Sequence, residues 1–103
     1  MPLASCESLY GRRQFKPFFD HQSMDVAIVD VPWNGILESV KIAAIAEAHY
    51  VSVAPHNPMG PLATAVNVHF AAATPNFKIL EYILPTNTEW NEWVDDPYLP
   101  KDG

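Results

Sequence analysis

Short apolar runs recur along the chain, and residues at helical spacing fill the gaps between them. Val26-Ala27-Ile28-Val29 is continuous, apolar and bounded by Asp25 and Asp30, the pattern of a strand buried on both faces of a parallel sheet. Val51-Ser52-Val53-Ala54 is short and β-branched and stops at Pro55, which predicts a second strand. Pro2 to Cys6 predicts a short strand ahead of these, and Phe77 to Ile83 a fourth behind them. Arg12 to Asp20 carries Phe15, Phe18 and Phe19 at helical spacing, with Pro17 limiting or kinking the helix. From Ile36 to His49 the residues Leu37, Val40, Ala44 and Ala48 recur at three and four, predicting a helix that turns this face inward and leaves Glu38 and Lys41 on a wetter side. Leu62 to Ala73 is Ala-rich and apolar nearly all round, a helix with much of its surface covered. Val31-Pro32-Trp33-Asn34-Gly35 reads as a turn.

Four parallel strands alternating with three helices imply right-handed crossovers and an α/β layer fold. One domain is predicted over 1–84, with an irregular tail over 85–103. The ten prolines among 103 residues do not form a tract; most sit singly between elements and act as punctuation. A chain of this length buries roughly two-thirds of its unfolded surface, so its core is modest.

Charge narrows the classes of function. The formal net charge is −6, and the six Lys and Arg residues form no stripe beyond Arg12-Arg13, so nucleic acid is not the expected partner. No run of about 18 apolar residues exists, and the N-terminus has no basic region followed by an apolar stretch. One cysteine, Cys6, cannot close an internal disulfide, which suits a reducing compartment. A soluble, cytoplasmic protein without membrane contact is expected.

The candidate chemistry is positional. Glu7, Asp30, His56 and Glu81 each fall at or near the C-terminal end of a predicted strand, the edge where parallel α/β sheets and barrels place their reacting groups. Each has a plainer reading. Glu7 can cap the following helix, Asp30 can hydrogen-bond its own turn, and His56 can be a loop residue satisfied by the backbone. Glu81 is harder to dismiss, because an ionised carboxylate in an apolar strand needs a partner.

Four strings taken together resemble one family: Glu7-Ser8-Leu9-Tyr10-Gly11-Arg12-Arg13, the run from Asp25 through Asp30 to Ile36, Lys41 to Ala48, and Ala54-Pro55-His56-Asn57. Pro75 to Glu81 continues the likeness. The chain resembles the enolase superfamily in its mandelate racemase and muconate-lactonizing branch, and within it the sugar-acid dehydratases such as galactonate dehydratase. The resemblance implies the C-terminal half of a (β/α)7β TIM-type barrel and a Mg2+ ion held by three carboxylates. It implies Glu7 as the third metal ligand, His56 as the base, Asp30 as its dyad aspartate, and Glu81 as the last-strand glutamate facing the substrate carboxylate. Where many relatives have two glycines before the helix, this chain has Asn34-Gly35.

These types suit removal of a proton α to a carboxylate, which leaves an enediolate bearing two negative charges. A neutral histidine takes a proton near pH 7, an aspartate fixes its tautomer, and magnesium stabilises developing charge. Two metal ligands and the capping domain implied by the resemblance have no counterpart in the sequence. The expectation is therefore a piece of a longer magnesium-dependent lyase or isomerase, inactive alone, whose small carboxylate substrate is a sugar acid. The alternatives are a non-catalytic half-barrel that self-associates through exposed edges and a complete small open-sheet domain. Cys6 is expected to be a small strand residue rather than a nucleophile, and His21, His49 and His69 have no assigned role.

Overall fold

The computed structural model describes residues 1–83, 89–96 and 99–101. Three parallel strands, β1 (Ala4–Ser5), β2 (Val26–Val29) and β3 (Ser52–Pro55), pair in the order β1-β2-β3. Their registers run from Ala4 opposite Val26 to Val29 opposite Pro55. Helices α1 (Gly11–Asp20), α2 (Val31–Asn34), α3 (Ile36–Ala48) and α4 (Pro61–Ala72) fill the connections and the stretch after β3. No helix among the described residues is long and apolar enough to cross a membrane.

The strand pleat divides the side chains. Ala27, Val29 and Val53 are fully buried, together with Phe15 and Phe19 of α1, Ile42 and Ala46 of α3, and Phe70 of α4. Phe15 and Phe19 stack with ring centroids 5.9 Å apart, while Phe18 stays partly exposed. Pro17 lies inside α1 and the helix continues past it to Asp20. Alternate positions Val26, Ile28 and Ala54 face a cavity on the other side of the sheet.

Three expectations need correction. First, the inward face of α3 is Ser39, Ile42, Ala43 and Ala46, whereas Leu37, Val40, Ala44 and Ala48 face outward. Both stripes are apolar, so periodicity could not choose between them; small side chains on the inner stripe allow close approach to α1 and the sheet. Secondly, Val31–Asn34 is a helical turn rather than an open one, because Asp30 caps it and Pro32 sits in its first turn. Thirdly, the stretch expected as a fourth strand is held to the sheet by one parallel bridge, Val53 with Phe77. There Val53 N–H donates to Asn76 O, and Lys78 N–H donates to Val53 O, each at 2.9 Å.

The expected boundary at residues 84 and 85 lies outside the described residues. The described part of the tail carries a 3-10 turn at Asn91–Trp93. Trp90 and Trp93 stack at 6.3 Å. Trp90 also lies on Gly60, whose missing Cβ would stand 2.9 Å from the indole Cε3.

Candidate active site

Asp30 ends β2 and divides its two oxygens between two tasks. Oδ1 accepts from Trp33 N–H at 2.8 Å and so caps α2. Oδ2 stands 3.1 Å from His56 Nδ1. One carboxylate thus both caps the turn and holds the histidine ring. Asn34 secures the same corner, since its Nδ2 donates to Asp30 O at 2.8 Å and its Oδ1 accepts from Gly11 N–H at 2.7 Å. Gly35, at φ 79°, then makes the change of direction into α3 that a side chain would strain.

His56 follows β3, and its N–H donates to Val29 O at 2.9 Å, which extends the β2–β3 pairing to the rim of the sheet. A carboxylate oxygen can only accept, so the contact with Asp30 places the proton of neutral His56 on Nδ1. Nε2 then carries the lone pair. It faces Glu81, with Oε2 at 3.9 Å. The Asp30 side chain is 1% exposed, His56 26% and Glu81 40%; the aspartate is thus sealed behind the ring while the His56 and Glu81 side chains meet solvent.

Glu7 joins His56 and Glu81 around an open cavity of about 460 Å³. Cys6, at φ 92°, makes the sharp turn that ends β1 just before it. Glu7 itself is exposed. The described residues contain no group of three or more His, Cys, Asp or Glu able to hold a metal ion, so the expected magnesium has one candidate ligand here and no site. Cys6 is buried beside Met24, Sγ to Sδ 3.5 Å. Burial, and then the charge of Glu7, push its thiol pKa above the ordinary value, with a Ser5 hydrogen bond opposing. A thiol in that state is a poor nucleophile.

Residues that the sequence pattern did not single out support this corner. Asn57, Thr64 and Asn67 are buried, although α4 reads as an apolar helix. The available signal was their placement: Thr64 and Asn67 are polar and one turn apart on an otherwise Ala-rich helix. His49, given no role, links α3 to α1 through Asp20 at 3.4 Å.

The enolase C-terminal domain-like family matches the chain over residues 1–103. The chain belongs to that family. Among curated relatives, the D-xylonate dehydratase of Haloferax volcanii is 32% identical over 99% of this chain and 25% of its own length. A D-galactonate dehydratase of Verminephrobacter eiseniae is 43% identical over 67% of this chain and 18% of its own length. The enolase-family chain thus spans about a quarter or less of these relatives. Among solved structures, a Burkholderia xenovorans protein provisionally named an L-alanine-DL-glutamate epimerase and bound to magnesium and fumarate superposes with a TM-score of 0.91 and 48% identity. That match covers 97% of this chain and 25% of the other. An Agrobacterium radiobacter enolase provisionally named a galactarate dehydratase, bound to sodium and L-malate, gives 0.89 and 49%, covering 99% and 29%. The α/β architecture with a parallel sheet matches the barrel-type domain of this family.

Proposed function

We propose that this chain carries the proton-abstracting end of an enolase-family enzyme that dehydrates a sugar acid. The observation that carries the reading is the dyad: His56 Nδ1 held by buried Asp30 at 3.1 Å, with Nε2 turned to the cavity that Glu7 and Glu81 share. In this reading Nε2 takes the proton from the carbon next to the substrate carboxylate. The electron pair left behind forms a carbon–carbon double bond as the hydroxyl on the next carbon departs. The imidazolium returns its proton to that hydroxyl, which leaves as water, and the enol rearranges to a 2-keto acid. Asp30 stabilises the imidazolium between the two transfers. Glu81, whose Oε2 accepts from Asn57 N–H at 3.0 Å, borders the substrate carboxylate.

Dehydratase names among the relatives favour this outcome over racemisation. Magnesium belongs to the proposal only for a complete enzyme, with Glu7 as one ligand and the others supplied from outside this chain. No step above runs through it, and the chain alone is proposed to be inactive. A cytoplasmic setting is part of the same proposal.

The test is a chimera in which this chain replaces the equivalent segment of the Agrobacterium protein. With magnesium and a panel of sugar acids it should form a 2-keto acid, and His56→Asn should abolish that product. A folded chimera that racemises but never dehydrates would contradict the reading. A second reading, a self-associating half-barrel, is favoured by the exposed Leu37, Val40 and Leu62. It predicts concentration-dependent sedimentation of the chain alone, whereas a monomer at all concentrations would remove it.

A further inference from the structure

The segment carrying Glu81 poses a physical question. A fourth strand would be fixed by a ladder, yet this stretch has one bridge, at Phe77. Glu81 nevertheless sits opposite His56. Its position is set by Asn57, which is fully buried. Asn57 N–H donates to Glu81 Oε2 at 3.0 Å, and Asn57 Nδ2 donates to the Glu81 backbone oxygen, also at 3.0 Å. One residue thereby holds both the carboxylate and the main chain of Glu81.

The amide of Asn57 is itself oriented by α4. Its Oδ1 accepts from Asn67 Nδ2 at 2.9 Å, and its Nδ2 also donates to Thr64 Oγ1 at 3.1 Å. Asn67 Nδ2 further donates to His56 O at 3.3 Å. The backbone oxygens of His56 and Glu81 can only accept, so turning either amide over would set oxygen against oxygen. Both orientations are forced, although Asn67 Oδ1 is left without a partner among the described residues. The polarity propagates: Asn67 must donate to Asn57, hence Asn57 must present its own NH2 to Thr64 and Glu81. Leaving a buried amide oxygen unpaired is unfavourable, and the arrangement retains that cost while registering His56 and Glu81.

We propose that Asn57, oriented by Asn67 and Thr64, is a positioning residue that holds Glu81 in register with His56 in place of a strand ladder. Its importance for turnover rests on the function proposed above; its effect on geometry does not, and the test is made on geometry in the full 103-residue chain. Hydrogen exchange is read by mass spectrometry for a peptide containing Lys78, whose N–H is bonded to Val53 O, and for one containing His56, whose N–H is bonded to Val29 O. Asn57→Ala should accelerate exchange in the first about tenfold or more, the effect of losing one to two hydrogen bonds, and change the second little. Asn57→Asp, which keeps the volume but removes the NH2 donor, should do the same.

A spectroscopic signature separates positioning from mere packing. In the parent, the amide proton of residue 57 should lie downfield because it meets a carboxylate, and Glu81→Gln should move it upfield. Asn57→Ala should move it upfield as well, because Glu81 has drifted. Exchange that changes equally in both peptides for both variants, or in neither, overturns the proposal. So does a residue-57 amide that stays downfield in Asn57→Ala. Loss of product in the His56→Asn chimera bears on the proposed reaction and leaves these outcomes untouched.

Discussion

Substituting Asp30 should separate its two roles. Asp30→Ala removes the cap on α2 and the partner of His56 together. Loss of an N-cap costs about 0.5–2 kcal/mol, and loss of a hydrogen bond involving a charged group about 1.5–3 kcal/mol, so Ala should destabilise the chain by about 2–5 kcal/mol. Asp30→Asn keeps an oxygen at the Oδ1 position for Trp33 N–H, 2.8 Å away. Its NH2 replaces Oδ2, where a donor would oppose the Nδ1 proton of His56. The ring answers by moving that proton to Nε2 and accepting on Nδ1. A neutral bond remains, so the stability loss falls to about 1 kcal/mol. The lone pair that faced the cavity is gone. In a Ser-His-Asp triad the equivalent exchange costs about 10⁴ in turnover, and a loss of that order is expected in the complete enzyme. Urea denaturation gives the two stabilities, and ¹⁵N spectra of the histidine ring give the tautomer. An Asn variant as unstable as the Ala variant, or one that keeps the proton on Nδ1, would refute the division of labour assigned to this carboxylate.

Three further outcomes are expected. Cys6, buried and with its thiol pKa pushed up, should react with iodoacetamide at neutral pH at least about tenfold more slowly than after unfolding in urea; equal rates would contradict its burial. Asp20 titrates below the ordinary 3.8, chiefly through its hydrogen bond from Lys16. A depressed carboxylate contributes stability above its unfolded pKa and loses it as pH falls through the folded value, so Lys16→Gln should weaken the chain at pH 6 and make no difference at pH 2. Gly60→Ala would set a Cβ 2.9 Å from the Trp90 ring; about 1–3 kcal/mol of crowding should be relieved by expelling Trp90, seen as red-shifted tryptophan emission with little change in the far-ultraviolet spectrum.

The strands that position Asp30 and His56 were legible because each is a short apolar run closed by a polar residue or a proline. Such a run has few alternatives in a buried parallel sheet. Glu7 and His56 come to one cavity from strand ends, as expected, whereas Glu81 reaches it without the strand predicted to carry it. The orientation of α3 was not legible, because two of its stripes are apolar and the choice was made by the bulk of Phe15 and Phe19 on a neighbouring helix. Nor was the reduction of the fourth strand to a bridge at Phe77. An apolar run carries no record of which ladder is available to it, and here a buried asparagine does part of that work. Asn57 carries no such signal, since its partners on α4 and at Glu81 are distant in sequence.

The central claim is that His56 is the base, and loss of the substrate α-hydrogen to solvent tests it most directly. The chimera carrying this chain, incubated with magnesium and a sugar acid deuterated at the carbon next to the carboxylate, should release that deuterium to water as the 2-keto acid forms. His56→Asn should reduce that release to the level without enzyme while leaving the fold intact. Undiminished release in a folded His56→Asn chimera would contradict the account.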